Sequence, residues 1–136
     1  MYNQVLHDHL DGGLRPSTAK ILAKQINYLP ITEVDDVAKF FDRSSSTSLD
    51  DYLEAFIHTI ALMQTYDNLE QIAYEAAVDM HKNNIHFYES RYAPFYSVNE
   101  ELSPKDVLTA INSGFKQAEN EFGIISGLIL CGMRND

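Results

Sequence analysis

Apolar residues along this chain fall into two rhythms. The first stretch is short: Val5 and Leu6 lead into the polar run His7-Asp8-His9, and Gly12-Gly13 breaks it, so Val5–His9 reads as a strand ending in a turn. From Pro16 the spacing turns helical. The proline sits where a first turn begins, Ile21, Leu22 and Ile26 recur at helical intervals, and Leu29-Pro30 ends the helix. Thr32 is placed to cap a second helix with Val34, Val37, Ala38 and Phe41 on one face. After the polar loop Arg43 to Ser48, Ser48 caps a long helix whose apolar set is Leu49, Leu53, Phe56, Ile57 and Ile60. Asp67 or Asn68 starts the next, with Leu69, Ile72, Ala73, Ala76 and Met80 inward, and Asn83-Asn84 stops it.

The rhythm changes again at IHFYESRY, Ile85 to Tyr92, which is rich in β-branched and aromatic residues and is followed by Pro94: a second strand. Ser103-Pro104 opens a helix carrying Val107, Leu108, Ile111, Phe115, Ala118 and Phe122, and Gly123 lies just past its end. The near-continuous apolar run from Gly123 to Arg134 predicts a strand buried on both faces. Strands separated by long helical segments imply parallel pairing through crossovers, hence an α/β architecture.

Composition narrows the partners more than the fold. The 136 residues suit one domain with a real core, and 45% hydrophobic and 11% aromatic content describe a folded chain. Twenty acids against ten bases give a net charge of -10, which disfavours nucleic acid or an anionic membrane as partner, since both require positive patches. Cys131 stands alone, so no internal disulfide forms; with no leader-like apolar core and no apolar run near about 18 residues, the expected setting is soluble and cytoplasmic.

The opening strand carries the chemistry. Residues i and i+2 of a strand share a face, so His7 and His9 project together with Cβ atoms roughly 6.5–7 Å apart. Two imidazoles at that separation can converge on one metal ion at Zn–N distances of about 2.0–2.1 Å. Asp11 continues the alternation if the backbone stays extended, and Gly12-Gly13 leaves room for a ligand to approach. The pair falls at the carboxyl end of a first parallel strand, where α/β folds place their sites. Spacing and position alone leave metal ligation and a chance pair of histidines both open.

MYNQVLHDHLDGGLRPST resembles the opening of adenosine deaminases, the bacterial ones in particular. The resemblance continues through SLDDYLEAFIHTIALMQT (48–65), IAYEAAVDM (72–80), YESRYAPF (88–95) and LILCGMR (128–134), and so covers essentially the whole chain, 1–136. It implies a zinc-dependent (β/α)8 barrel that hydrolyses the 6-amino group of adenosine or 2′-deoxyadenosine, giving inosine or 2′-deoxyinosine and ammonia. By the resemblance His7 and His9 are zinc ligands, with His9 also at the substrate, and Asp11 contacts the ribose hydroxyls. Leu49, Tyr52, Leu53 and Phe56 form an apolar lid over the purine, and Met133 lines the base pocket. The other zinc deaminase pattern, H-x-E with a distant P-C-x-x-C, is absent.

Plainer readings stand beside these. Leu49, Leu53 and Phe56 at i, i+4, i+7 form the stripe of an ordinary core helix, and Met133 is by default a buried strand residue. Glu89 and Arg91 share a strand face and read as an interior ion pair; Cys131 reads as inert inside a strand, and His58, His81 and His86 as packing or surface residues. A (β/α)8 barrel takes about 250 residues, whereas three strands are legible here, and the family's third zinc histidine, zinc aspartate and general acid/base residues have no counterpart in this sequence. The expectation is therefore the N-terminal part of such a barrel, with no catalytic acid or base of its own and inactive alone. Its open sheet edges would be covered by a C-terminal partner polypeptide or by self-association. The alternatives are a non-catalytic nucleoside-binding or structural fragment, and a deaminase of adenine or of adenosine nucleotides.

Overall fold

A computed structural model describes residues 1–134. Three strands, β1 (Gln4–His9), β2 (Phe87–Tyr92) and β3 (Ile125–Leu130), form one parallel sheet in the order β1-β2-β3. Five helices lie between β1 and β2: α1 (Pro16–Gln25), α2 (Leu29–Thr32), α3 (Val37–Phe41), α4 (Leu49–Ala61) and α5 (Tyr66–Lys82). A sixth, α6 (Pro104–Phe122), joins β2 to β3. Each strand neighbours the next in sequence and the order never reverses. That is the order of a (β/α)8 barrel wall rather than of a doubly wound sheet, and the α/β expectation is met. Among the described residues no helix is long and apolar enough to cross a membrane.

The core lies between the sheet and α5–α6. Tyr88, Ser90 and Tyr92 of β2 face the helices and are buried, while Leu69, Ile72, Val107, Ile111 and Phe115 fill the layer above them. The two helices meet at Gly114, where an added Cβ would stand 2.2 Å from the Glu70 carbonyl oxygen and 2.8 Å from the Tyr74 nitrogen. Helix ends follow local chemistry. The hydroxyls of Ser48, Thr65 and Ser103 accept from the amides of Asp51, Asn68 and Asp106, and Ser103 with Asp106 closes a reciprocal capping box. Asn84 (φ 62°) ends α5, and Gly123 (φ 80°) ends α6, in the left-handed region.

Several expectations are corrected. The inward face of α1 is Thr18, Ala19, Leu22 and Ala23, while Ile21 and Ile26 are exposed. Polar contacts set that rotation: Thr18 Oγ1 donates to Glu75 at 2.5 Å, and Arg15 grips Asp79 at 2.7 Å. That helix ends at Gln25, two residues before Asn27 (φ 55°), and Leu29-Pro30 starts a turn of its own. Asp36, not Thr32, caps α3, and Thr65, one position before the α5 start, replaces Asp67 or Asn68. The third strand is not buried on both faces: Ile125 and Leu130 are 48% and 56% exposed, because among the described residues β2 pairs with one of its edges and α6 supplies its main helix packing. No ion pair joins Glu89 to Arg91 among the described residues; Arg91 Nη2 donates to the Leu6 carbonyl at 3.4 Å instead.

Candidate functional site

The carboxyl ends of all three strands open on one side of the sheet, and α4 lies across them. Between them is a cleft of about 900 Å³. Its floor is His9 and Asp11 after β1, Tyr92, Ala93 and Tyr96 after β2, and Cys131 and Met133 after β3; its wall is Tyr52, Leu53, Phe56 and Ile57 of α4, with Asp50, Asp51 and Glu54 of the same helix on its border. A side compartment of about 340 Å³ shares Asp11, Tyr52 and Phe56 with it and continues to Arg43 and Ser44.

His7 and His9 come together, their ring centroids 5.6 Å apart and their planes inclined by 50°. The His9 ring also meets Phe56 edge-on at 6.4 Å. Asp11 reaches the cleft by a different route from strand alternation. The chain leaves β1 at His9 and turns through a 3₁₀ segment, Leu10–Gly12, which carries the Asp11 carboxylate inward. Asp11 is 8% exposed, and its Oδ1 is buried without a hydrogen-bond partner. Loss of water raises its pKa above the usual aspartate range, against the opposing pull of a backbone hydrogen bond and of His9. Burial likewise pushes the Tyr92 hydroxyl up to about 12, so it stays protonated beside Ser97 Oγ at 2.7 Å.

Of the residues singled out in the sequence, His9, Asp11, Tyr52, Leu53, Phe56 and Met133 line this one cleft. His7 adjoins it through the His9 ring, and Leu49 stands outside it, 69% exposed at the start of α4. The α4 stripe is thus not a core stripe: Leu53 and Ile57 are 45% and 65% exposed, and Thr59 is the buried residue of that helix. Cys131 lies just beyond β3 in the cleft floor rather than within the strand. Tyr92 and Tyr96 were missed; the signal available was Pro94, which ends β2 and starts the Pro94–Ser97 turn beneath the cleft. The remaining histidines pack elsewhere: His58 shares a 2.8 Å hydrogen bond with the Tyr28 hydroxyl, His81 stacks on Phe122 and His86 on Tyr2.

Two converging imidazoles suit zinc as donors. Among the described residues no third His, Cys, Asp or Glu joins them in a metal-holding group. Two donors fall short of the four that a closed zinc site takes.

Residues 3–136 match the family model described as adenosine deaminase. An adenosine deaminase of Mycobacterium avium is 40% identical over 139 residues, an alignment covering 96% of this chain and 38% of that protein. The chain thus spans under two fifths of this relative's length. Among solved structures, an amidohydrolase from Burkholderia ambifaria with bound zinc superposes with a TM-score of 0.77 at 26% identity, covering 96% of this chain and 35% of that one. The Arabidopsis protein ADAL, complexed with GMP, shares the fold at a TM-score of 0.77 and 20% identity, over all of this chain and 42% of its own.

Proposed function

Because the chain belongs to the adenosine deaminase family, we propose that it builds part of a hydrolytic deaminase site, which converts adenosine or 2′-deoxyadenosine to the inosine product and ammonia. Its contribution is two zinc ligands and one side of the nucleoside pocket. His7 and His9 would hold the metal through imidazole nitrogens. The chemistry zinc supplies when bound is a lowered pKa for coordinated water, toward about 7, which provides hydroxide at neutral pH. The Asp11 carboxylate accepts hydrogen bonds from the ribose hydroxyls. Tyr52, Leu53, Phe56 and Met133 pack against the purine and exclude water from it, with Leu49 at the outer end of the same lid. The single cysteine fits a cytoplasmic setting.

The observation that carries this reading is Asp11 Oδ1, a buried acceptor left unpaired in a largely apolar cleft beside the imidazole pair. An unpaired buried acceptor costs about 1–3 kcal/mol, which a ligand hydroxyl recovers. Calorimetry tests it: adenosine binds the chain, and Asp11→Ala weakens binding by about tenfold or more, the value of one such hydrogen bond. Equal binding by both proteins removes Asp11 from the pocket. Two imidazoles fall short of the ligand set of a catalytic zinc and Asp11 is committed to the ribose in this reading, so the chain assayed alone with zinc and adenosine gives no turnover at enzyme-like rates. The exposed edges of β1 and β3 call for a cover, either a polypeptide bringing further strands or a second copy. Light scattering that finds a compact monomer refutes the second-copy form.

A second reading rests on the side compartment, where the Arg43 guanidinium lies beyond Asp11. There a 5′-phosphate would meet the Arg43 guanidinium, which lies 3.5 Å from Asp51, and the GMP bound in the Arabidopsis structure supports a nucleotide in this fold. A panel of adenosine, 2′-deoxyadenosine, adenine and adenosine monophosphate separates the two. Tighter binding of the nucleotide that Arg43→Ala abolishes favours the second.

A further inference from the structure

The register of β1 against β2 holds an irregularity that decides where the two histidines point. Val5 pairs with Tyr88 and Asp8 with Ser90, so three steps along β1 match two along β2: one extra residue, a β-bulge, lies between them. Tyr88 faces the helices, where it is buried against the Phe115 ring, and its partner Val5 packs against the same core. In a regular strand His7 and His9 would share the side of Val5 and point into the helix layer. The bulge breaks that parity. Asp8 takes the helix side in their place, and His9 pairs with Arg91 on the other face, next to Phe56.

Two contacts hold the bulge from opposite sides. On the helix side the buried Tyr88 hydroxyl donates to Asp8 Oδ2 at 2.5 Å. On the open side Arg91 Nη2 donates to the carbonyl of Leu6, within the bulge, at 3.4 Å. The first is short and charge-assisted, the second long and weak.

We propose that Asp8 and Tyr88 are positioning residues for the metal pair: their hydrogen bond locks the bulge that turns His7 and His9 from the helix layer toward the cleft. The residue between the two histidines is thus part of the site although it neither ligates nor touches substrate. This rests on the metal reading given above, and its test separates the two.

The experiment uses the chain with Asp8→Ala, Asp8→Asn and Tyr88→Phe, each first shown folded by circular dichroism. Zinc is titrated in competition with a chromophoric chelator, and ring-to-ring contacts of His7 and His9 are followed by NMR without metal. Asp8→Ala and Tyr88→Phe are expected to lose about tenfold or more in zinc affinity, the usual effect of removing an orienting partner, and to lose the His7–His9 ring contact. Asp8→Asn keeps an acceptor for Tyr88 and retains both. If Asp8→Asn falls as far as Asp8→Ala, the carboxylate acts through its charge and the proposal is overturned. It is equally overturned if the ring contact survives in both Asp8→Ala and Tyr88→Phe, whether or not zinc binds. An unaltered chain that shows the expected ring contacts across the series yet binds no zinc sinks the metal reading alone. A variant that does not fold is replaced by the Asp8→Ala/Tyr88→Phe pair, which leaves no partner unpaired and must show the same two losses.

Discussion

Helices α4 and α6 begin alike and end differently. Each opens on a serine whose hydroxyl accepts an amide hydrogen bond from three residues on, and each carries an apolar stripe at helical spacing. Yet α6 buries Val107, Ile111, Phe115 and Ala118, whereas α4 leaves Leu49, Leu53 and Ile57 exposed. The difference is position. The longer helix is the crossover between adjacent parallel strands, so it lies against the sheet and against α5. The shorter one lies across the open ends of the strands, where the surface it faces is a cleft. An apolar stripe therefore states only that a helix has something to cover; in α6 that is a core, in α4 a pocket.

The largest effect that would break this contrast is truncation of the two stripes. Phe115→Ala is expected to cost about 3–5 kcal/mol in urea unfolding, as for a buried aromatic. Leu53→Ala is expected to stay within about 0.5 kcal/mol while weakening adenosine binding. Similar losses for both would make the α4 stripe a second core.

Next in size is the α5–α6 contact. Gly114→Ala places a methyl group on the backbone of Glu70 and Tyr74 and forces the helices apart, at about 1–3 kcal/mol or more. Its melting temperature falls while zinc affinity stays unchanged, because the cleft lies at the strand ends. A smaller step tests the caps. Ser103→Ala should lower global stability by about 1 kcal/mol. Ser48→Ala should instead speed amide exchange within α4 with little change in the global transition, since α4 is thinly packed.

The smallest effect is in pH. Asp11 has its pKa raised in the fold, chiefly by burial. The folded state therefore binds the proton more tightly than the unfolded one. Below the unfolded-state value both forms are protonated and the burial carries no charge penalty; as pH rises through the raised folded value, stability is lost. Asp11→Asn removes the charge, so the difference in stability between variant and parent should widen in the variant's favour across that window. A pH-independent difference would show that Asp11 ionises in the fold as it does in water.

Much of this was legible from residues alone, for local reasons. The caps at Ser48 and Ser103, the Asn84 and Gly123 stops and the N1 prolines depend on interactions within one turn, and the strand–helix order follows from spacing. Where local cues competed, distant contacts prevailed. Arg15 and Thr18 find Asp79 and Glu75 some sixty residues away and rotate α1 so that Ile21 faces outward. Asp11 was placed in the cleft by reasoning from an extended backbone, yet a 3₁₀ turn is what brings it there.

The sequence by itself determined the strand–helix alternation, the parallel sheet and the placing of two histidines at i, i+2 on the first strand, because residue type and spacing carry those directly. Tertiary structure alone decided which way that histidine pair faces. Strand parity counted from Val5 sends His7 and His9 toward the helices, and only pairing with β2, which inserts the bulge and gives Asp8 its partner in Tyr88, reverses the count. Strand register is a relation between segments more than eighty residues apart in the chain, and no local pattern in LHDHLDGG encodes it.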